Sequence, residues 1–132
     1  MNTKNYIIAS NRQFPNCVAR NPEELEKLLK KVKPQYIFFP FWSWKVPKSI
    51  LLRSKCIGFH TGDFRGGSPV QHLIRRKFKI VLLYMFEMTE NIDKGKVIGE
   101  ALIALQGNLQ DIIREEISLI KELMESVKTN NK

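Results

Sequence analysis

Two short apolar runs separated by an amphipathic helix constrain the fold of this chain more than any other feature. Tyr6 to Ala9 and Tyr36 to Phe39 each have the length and composition of a short buried strand. Between them, Asn21-Pro22-Glu23-Glu24 is a typical helix start, with an N-cap residue, a proline at the first helical position and acids in the first turn. A strand, a helix and a strand in this order predict a parallel pair of strands in an α/β fold.

The remaining segments extend this sheet and end in a long helix. Cys56 to Phe59 predicts a third strand, and Phe78 to Met88 and Lys96 to Ala104 predict two more, joined by a hairpin-like turn at Asn91 to Gly95. Asn108 opens a final helix whose broad apolar stripe suits packing on a sheet or on a second subunit. We therefore predict an α/β fold with a mainly parallel sheet, an antiparallel extension and a long C-terminal helix, and the stripe leaves homo-oligomerisation open.

The length and composition are those of one ordinary globular domain. The chain has 132 residues, enough for one core and too few for two, so we expect a single compact domain over residues 1–132. Hydrophobic residues at 43% and charged residues at 27% exclude a disordered or low-complexity chain. The longest apolar stretch, Ile80 to Phe86, is far shorter than the roughly 20 residues that span a bilayer, and the first residues lack a signal core. We expect a cytoplasmic protein without membrane insertion.

Positive charge is concentrated in the first three quarters of the chain. Lysine and arginine total 22 against 13 acids, for a formal net charge of +9. Residues 1–96 hold 18 basic and seven acidic side chains, a net +11, whereas residues 97–132 hold four and six, a net −2. We expect any anionic partner to meet the first part of the chain. A nucleotide-sugar diphosphate, a polyglutamylated cofactor, a nucleic acid or an anionic membrane each has the required charge.

Standard metal and dinucleotide motifs are missing from the sequence. Cys17 and Cys56 lie far apart, without a Cys-x-x-Cys or Cys/His cluster, so we expect neither a metal site nor a disulfide framework. The polar exit from the first strand, Ser10 to Gln13, does not match a Gly-x-Gly-x-x-Gly phosphate turn. A standard dinucleotide site is therefore disfavoured.

The densest chemical signal runs from Cys56 to Ile74. His60 follows the third predicted strand, and after it Arg65-Gly66-Gly67-Ser68-Pro69 leads into a helix whose amino end could hold an anion. Ile92-Asp93-Lys94-Gly95 follows later in the chain. At these residues the sequence resembles the formyltransferases that use 10-formyltetrahydrofolate. It is most similar to their sugar N-formyltransferase branch, including enzymes for pseudaminic-acid-type precursors, because Phe38 to Pro47 also resembles that branch.

This resemblance implies a truncated Rossmann-like fold and a reaction. The reaction is transfer of a formyl group from 10-formyltetrahydrofolate to the amine of a nucleotide-linked amino sugar, in bacterial-type surface-glycan biosynthesis. The resemblance places the catalytic pair at His60 and Asp93. It places the cofactor pocket at Phe39, Phe41, Trp42, Met88, Ile92 and Asp93, and the contacts to the acceptor at Arg65, Gly66, Gly67 and Ser68.

The residue types at the two catalytic positions suit formyl transfer. A neutral amine attacks the formyl carbonyl, and negative charge grows on the carbonyl oxygen in the tetrahedral transition state. A protonated His60 would donate a hydrogen bond to that oxygen. Asp93 would keep the imidazole charged and accept the proton of the amine, directly or through water.

Other interpretations of these residues stay open. A histidine at the end of a strand is often structural, and Asp93 is also a favoured residue for a turn. Gly58 stands two residues before the histidine, where many family members have an asparagine that shares the oxyanion. The main alternative is therefore a catalytically reduced formyltransferase-like module for binding or oligomerisation. An RNA-binding protein ranks third, because the chain has the charge but lacks an RNA-recognition motif.

Overall fold

The computed structural model describes residues 5–11, 14–62, 80–90 and 95–130. These residues form three helices and five strands, and the predicted α/β fold class is confirmed. In chain order the elements are β1 (Tyr6–Ile8), α1 (Pro22–Leu29), β2 (Tyr36–Phe39), α2 (Lys48–Arg53), β3 (Lys55–Thr61), β4 (Ile80–Glu87), β5 (Val97–Ala104) and α3 (Leu109–Asn130).

The strands form one sheet in the order β1-β2-β3-β4-β5. β1, β2 and β3 are parallel, and β4 and β5 add the predicted antiparallel extension. β3 is longer than predicted and runs through His60 to Thr61, because these two residues pair with Tyr84 and Leu83 of β4. His60 therefore lies inside a strand, one residue before its end, and its backbone is held by the sheet.

Both long helices begin as the sequence predicts. The Asn21 side chain accepts a 2.8 Å hydrogen bond from the backbone N–H of Glu24, which caps α1. At the start of α3, the N–H of Asp111 donates to Oδ1 of Asn108 at 2.9 Å, and the N–H of Asn108 donates to Oδ2 of Asp111 at 3.3 Å. This reciprocal pair is a capping box with aspartate as its acid.

The sheet separates two apolar clusters, which lie on opposite faces of β3. The first face carries Cys56, Gly58 and His60, and Cys56 packs in a cluster with residues of α1 and α2. The second face carries Ile57, Phe59 and Thr61, and Ile57 packs in a cluster with residues of α3. The final helix thus uses its apolar stripe against the sheet of its own chain. Within the described ranges, no helix combines the length and the apolar character needed to cross a membrane.

Candidate active site

His60 lies at the carboxyl edge of the parallel strands. β2 ends at Phe39, which pairs with Gly58, so β3 extends three residues beyond the end of its parallel neighbour. His60 is the second of these three residues, and its side chain is half-buried with Nε2 shielded from solvent. Ligands of open α/β sheets bind at this edge, which makes His60 well placed for chemistry.

An aromatic loop leaves β2 at the same edge. The ring of Trp42 packs edge-on against Phe39, with 5.2 Å between centroids, and Trp44 packs edge-on against Trp42 at 4.8 Å. Phe39 is fully buried, Trp42 is half-buried and Trp44 is 39% exposed. The three rings therefore form a continuous aromatic cluster that runs from the buried end of β2 to the surface.

Three of the predicted cofactor residues come together on the first face, and a fourth does not. Phe39, Trp42 and Met88 belong to the cluster on the side of α1 and α2. Phe41 has a positive φ of 59°, which turns its side chain to the other cluster, where its ring meets Phe14 at 6.2 Å. A non-glycine residue in the left-handed region carries strain that the surrounding packing must offset. The structure thus puts Phe41 and Trp42 on opposite sides of the sheet.

The residues after β4 cross the first face towards α2. The N–H of Met88 donates to the carbonyl of Cys56 at 2.8 Å, and Lys48 at the start of α2 forms a 3.3 Å ion pair with Glu90. These contacts place Met88 and Glu90 beside the first face. The remaining predicted site residues lie outside the described residues: Arg65, Gly66, Gly67, Ser68, Ile92 and Asp93.

The two cysteines are free thiols. Burial raises the pKa of the Cys56 thiol to about 12, so Cys56 stays protonated near neutral pH. The Cys17 thiol donates a 3.1 Å hydrogen bond to the carbonyl oxygen of Ala19. The described part of the chain contains no cluster of three or more histidine, cysteine, aspartate or glutamate residues that could hold a metal ion.

A buried carboxylate lies on the second face, directly behind the candidate site. Glu116 of α3 is only 5% exposed, and its Oε2 accepts a 2.8 Å hydrogen bond from Oγ1 of Thr61. Thr61 is the neighbour of His60 in β3, so this bond anchors the strand end that carries the histidine. The sequence contains a signal for this buried position: Glu116 lies four residues after Ile112 and four before Ile120, in the middle of the buried stripe.

No family model matches the chain. Among curated relatives, the methionyl-tRNA formyltransferase of Helicobacter acinonychis (strain Sheeba) is 29% identical over 111 residues. That match covers 81% of this chain and 36% of the relative, so the chain spans about a third of the relative's length.

Solved structures extend this similarity to the fold. A methionyl-tRNA formyltransferase from Clostridium thermocellum superposes with a TM-score of 0.82 at 28% identity, covering 94% of this chain and 64% of that one. The fold is formyltransferase-like. HypX from Aquifex aeolicus in complex with tetrahydrofolic acid has the same fold, with a TM-score of 0.75 at 19% identity, over 97% of this chain and 27% of HypX.

The sugar N-formyltransferase branch is a weaker neighbour. A Mycobacterium tuberculosis protein suggested to be a sugar N-formyltransferase has a TM-score of 0.67 at 13% identity, covering 96% of this chain and 68% of that protein. The predicted similarity to formyltransferases is therefore supported, and the assignment to the sugar branch is not established by these matches.

Proposed function

We propose that this formyltransferase-like chain transfers a formyl group from 10-formyltetrahydrofolate to a primary amine. The observation that carries the proposal is the place of His60, on an edge of the sheet shared with the aromatic cluster of Phe39, Trp42 and Trp44. The half-buried Trp42 and the exposed Trp44 offer aromatic surface to the flat pterin ring of a folate, since aromatic side chains pack on planar ligands. The donor's formyl end would then point along the edge towards His60.

In this proposal His60 stabilises the developing negative charge and Asp93 accepts a proton. The amine nitrogen attacks the formyl carbon, and His60 donates a hydrogen bond to the oxygen on which charge develops. Asp93 holds the imidazole in its charged form and takes the proton that the amine loses. A C–N bond to the acceptor replaces the C–N bond to the folate, and the proton returns to the folate nitrogen as it leaves.

For the acceptor we propose the amine of a nucleotide-linked amino sugar. The segments that resemble the sugar branch, Phe38 to Pro47 and Arg65 to Pro69, support this choice, as does the basic first part of the chain. Methionyl-tRNA is the second candidate acceptor, because the curated relative and one of the solved neighbours are methionyl-tRNA formyltransferases. Both acceptors combine a primary amine with phosphate groups.

The test is an assay of formyl transfer with 10-formyltetrahydrofolate and both kinds of acceptor. We expect the product with at least one nucleotide-linked amino sugar and less with methionyl-tRNA. The reverse preference would overturn the acceptor assignment and leave the reaction in place. Absence of transfer to every acceptor would overturn the reaction.

One observation favours the alternative of a catalytically reduced module. A methyl group added at Gly58 would lie 2.8 Å from Cζ of Phe86, so a ring occupies the space in which a longer side chain at this position would project. The site then has no side-chain donor at residue 58 to assist His60.

Calorimetry with a stable folate analogue, combined with the transfer assay, distinguishes an active formyltransferase from a catalytically reduced module. Binding without transfer would identify a reduced module, whereas no binding at millimolar ligand, about −4 kcal/mol, would reject the folate assignment.

A further inference from the structure

Three titratable side chains form a row across the sheet on its first face. His60 of β3 is directly paired with Tyr84 of β4, and Tyr84 is directly paired with Glu100 of β5. Both pairings join antiparallel strands, and directly opposite residues of such strands have their side chains on the same face. An imidazole, a phenol and a carboxylate therefore lie next to one another, from the central strand of the sheet to the edge strand β5.

The neighbours of these residues identify the face on which the row lies. Leu83 and Met85, on either side of Tyr84, are buried in the cluster on the α3 side, so Tyr84 lies on the first face. A methyl group at Gly99 would lie 2.8 Å from Cε of Met85, which puts Gly99 on the second face and Glu100 on the first. Tyr84 is half-buried and Glu100 is exposed, so the row becomes more open towards the edge of the sheet.

The backbone holds the members of the row at short distances. The N–H of Gly62 donates to the carbonyl of Leu82 at 2.9 Å, which marks these two residues as a hydrogen-bonded pair of the β3–β4 ladder. Such pairs recur at every second residue, so His60 and Tyr84 form the next one, with Cα atoms about 5.5 Å apart. Glu100 lies one strand further, about 10 Å from His60, because neighbouring strands are about 4.8 Å apart.

We infer that Tyr84 is a positioning residue that links His60 to the carboxylate of Glu100. The inference rests on the proposed function, in which one N–H of the His60 imidazolium donates to the formyl oxygen. The other N–H donates to the Tyr84 hydroxyl, and that hydroxyl donates to Glu100. This order of donors suits a charged imidazole, because each bond runs towards the negative charge. Glu100 thus favours the protonated form of His60, which the reaction requires.

The other groups on this side of the sheet leave the charge of Glu100 effective. Among the described strand residues of the first face, the remaining titratable side chain is Cys56, whose raised pKa of about 12 keeps it neutral. Lys48 of α2 pairs with Glu90 at 3.3 Å, so these two charges largely cancel at the distance of His60. Removal of the carboxylate at residue 100 should therefore be measurable at the imidazole.

A purely structural account of the row makes a different prediction. Tyrosine is a common strand residue, and a charge on an edge strand discourages pairing with another chain. In that account the ring of Tyr84 stabilises the sheet and its hydroxyl has no role. Removal of the hydroxyl alone would then leave the titration of His60 unchanged.

An NMR titration of His60 distinguishes the two accounts. The chain has two histidines, so a His72→Gln background leaves the imidazole signals of His60 alone. We expect Tyr84→Phe, which keeps the ring, to lower the midpoint of His60 by several tenths of a pH unit, on the order of one hydrogen bond to the charged form. Glu100→Gln should lower it by about 0.3 pH unit at low salt and by less at high salt, as expected for one charge about 10 Å away in water.

A double-mutant cycle tests whether the hydroxyl connects the two groups. If Tyr84 links them, Glu100→Gln should shift the midpoint of His60 less in a Tyr84→Phe background than in the wild type. Equal shifts in both backgrounds would mean that Glu100 acts through space and would overturn the link. Tyr36→Phe is the matched control, because Tyr36 is a half-buried strand tyrosine of the second-face cluster. That substitution should leave the midpoint at its wild-type value.

Steady-state kinetics supply a second readout. Tyr84→Phe should lower kcat on the order of fivefold while KM for the acceptor changes little, because a less charged and less fixed imidazole loses rate rather than binding. The alkaline limb of the pH profile of kcat should move to lower pH with the midpoint of His60. A rise in KM with unchanged kcat would overturn the positioning role and assign the row to acceptor binding.

The possible results separate this inference from the proposed function. An unchanged titration of His60 in folded Tyr84→Phe would overturn the inference, whatever the activity. A wild-type protein that transfers no formyl group to any acceptor would overturn the proposed function. The titration would in that case still test whether Tyr84 links His60 to Glu100.

Discussion

The two faces of β3 differ in what covers them, although their residues alternate along one strand. On the second face, Ile57 and Thr61 are fully buried against the α3 side of the sheet, and Phe59 between them is half-buried. On the first face, Cys56 and Gly58 are buried, but His60 is half-buried at the edge where β2 has already ended. The last residue of β3 on the second face, Thr61, is thus buried, whereas the last residue on the first face, His60, is half-buried.

In the proposed function, one strand thus serves stability and chemistry at the same time. A shift of one residue along the strand moves a side chain to the other face. The bond between Thr61 and Glu116 secures the strand end from behind, so His60 can lie at an open edge without loosening the sheet. Substitutions on the second face should therefore act on the free energy of unfolding, and substitutions near His60 should act on the rate.

The largest effect should come from the centre of the second face. Ile57→Ala removes a fully buried side chain that packs with Phe38, Met85 and Ile120. We expect a loss of about 3 to 4 kcal/mol in the free energy of unfolding, measured by urea denaturation. Leu102→Ala is the matched control on a strand, because Leu102 is 64% exposed, and its cost should stay below about 0.5 kcal/mol. Equal costs for the two variants would contradict the assignment of the core.

The second largest effect should be on the rate of formyl transfer and not on the free energy of unfolding. In the proposed mechanism His60→Asn removes the charged donor, and we expect formyl transfer to slow on the order of a hundredfold, about 3 kcal/mol in the transition state. Its urea midpoint should stay close to that of the wild type because His60 is only half-buried. Asp93→Asn should have a similar effect, and the double variant should cost much less than the two losses added together. Wild-type rates after the loss of His60 would rule out the mechanism.

The sequence predicts the elements better than the contacts that join them. Asn21 and Asn108 cap their helices as predicted, because a cap depends on residues within one turn. The packing of Phe86 on Gly58 depends on the register of β3 with β4, which no local pattern reveals. The opposite directions of Phe41 and Trp42 likewise depend on one positive φ at a residue that is not glycine. Long-range register and local strain therefore decide the details of the site.

A middle-sized effect should follow from the buried bond on the second face. Thr61→Val keeps the shape of the side chain but removes the O–H that donates to Glu116, and leaves that carboxylate short of one bond in a buried position. We expect a loss of about 2 kcal/mol in stability. Thr61→Ser retains the hydroxyl group and should recover most of the difference. A Thr61→Val protein as stable as the wild type would show that the bond does not hold the end of β3.

The smallest effect should appear on the first face, and only at alkaline pH. Burial raises the pKa of the Cys56 thiol from 9.0 to about 12, so the folded state keeps its proton between these values while the unfolded state loses it. Proton release therefore favours the unfolded state. The contribution of the protonated thiol to stability is complete below pH 9 and declines by about 1.4 kcal/mol per pH unit as the pH rises towards 12.

Between pH 8 and pH 10 we expect titration of this thiol in the unfolded state to lower the free energy of unfolding of the wild type by about 1.4 kcal/mol. Cys56→Ala removes the titrating group, so its stability should fall less steeply over the same interval, whatever its absolute value at pH 8. Other groups titrate in both proteins, so their contributions cancel when the pH dependence of the free energy of unfolding is compared between the two. Urea denaturation in reductant at pH 8, 9 and 10 measures both slopes. If the free energy of unfolding fell equally steeply with pH in the wild type and in Cys56→Ala, water would reach Cys56 in the folded protein. The first face would then be open to solvent at Cys56, four residues before His60.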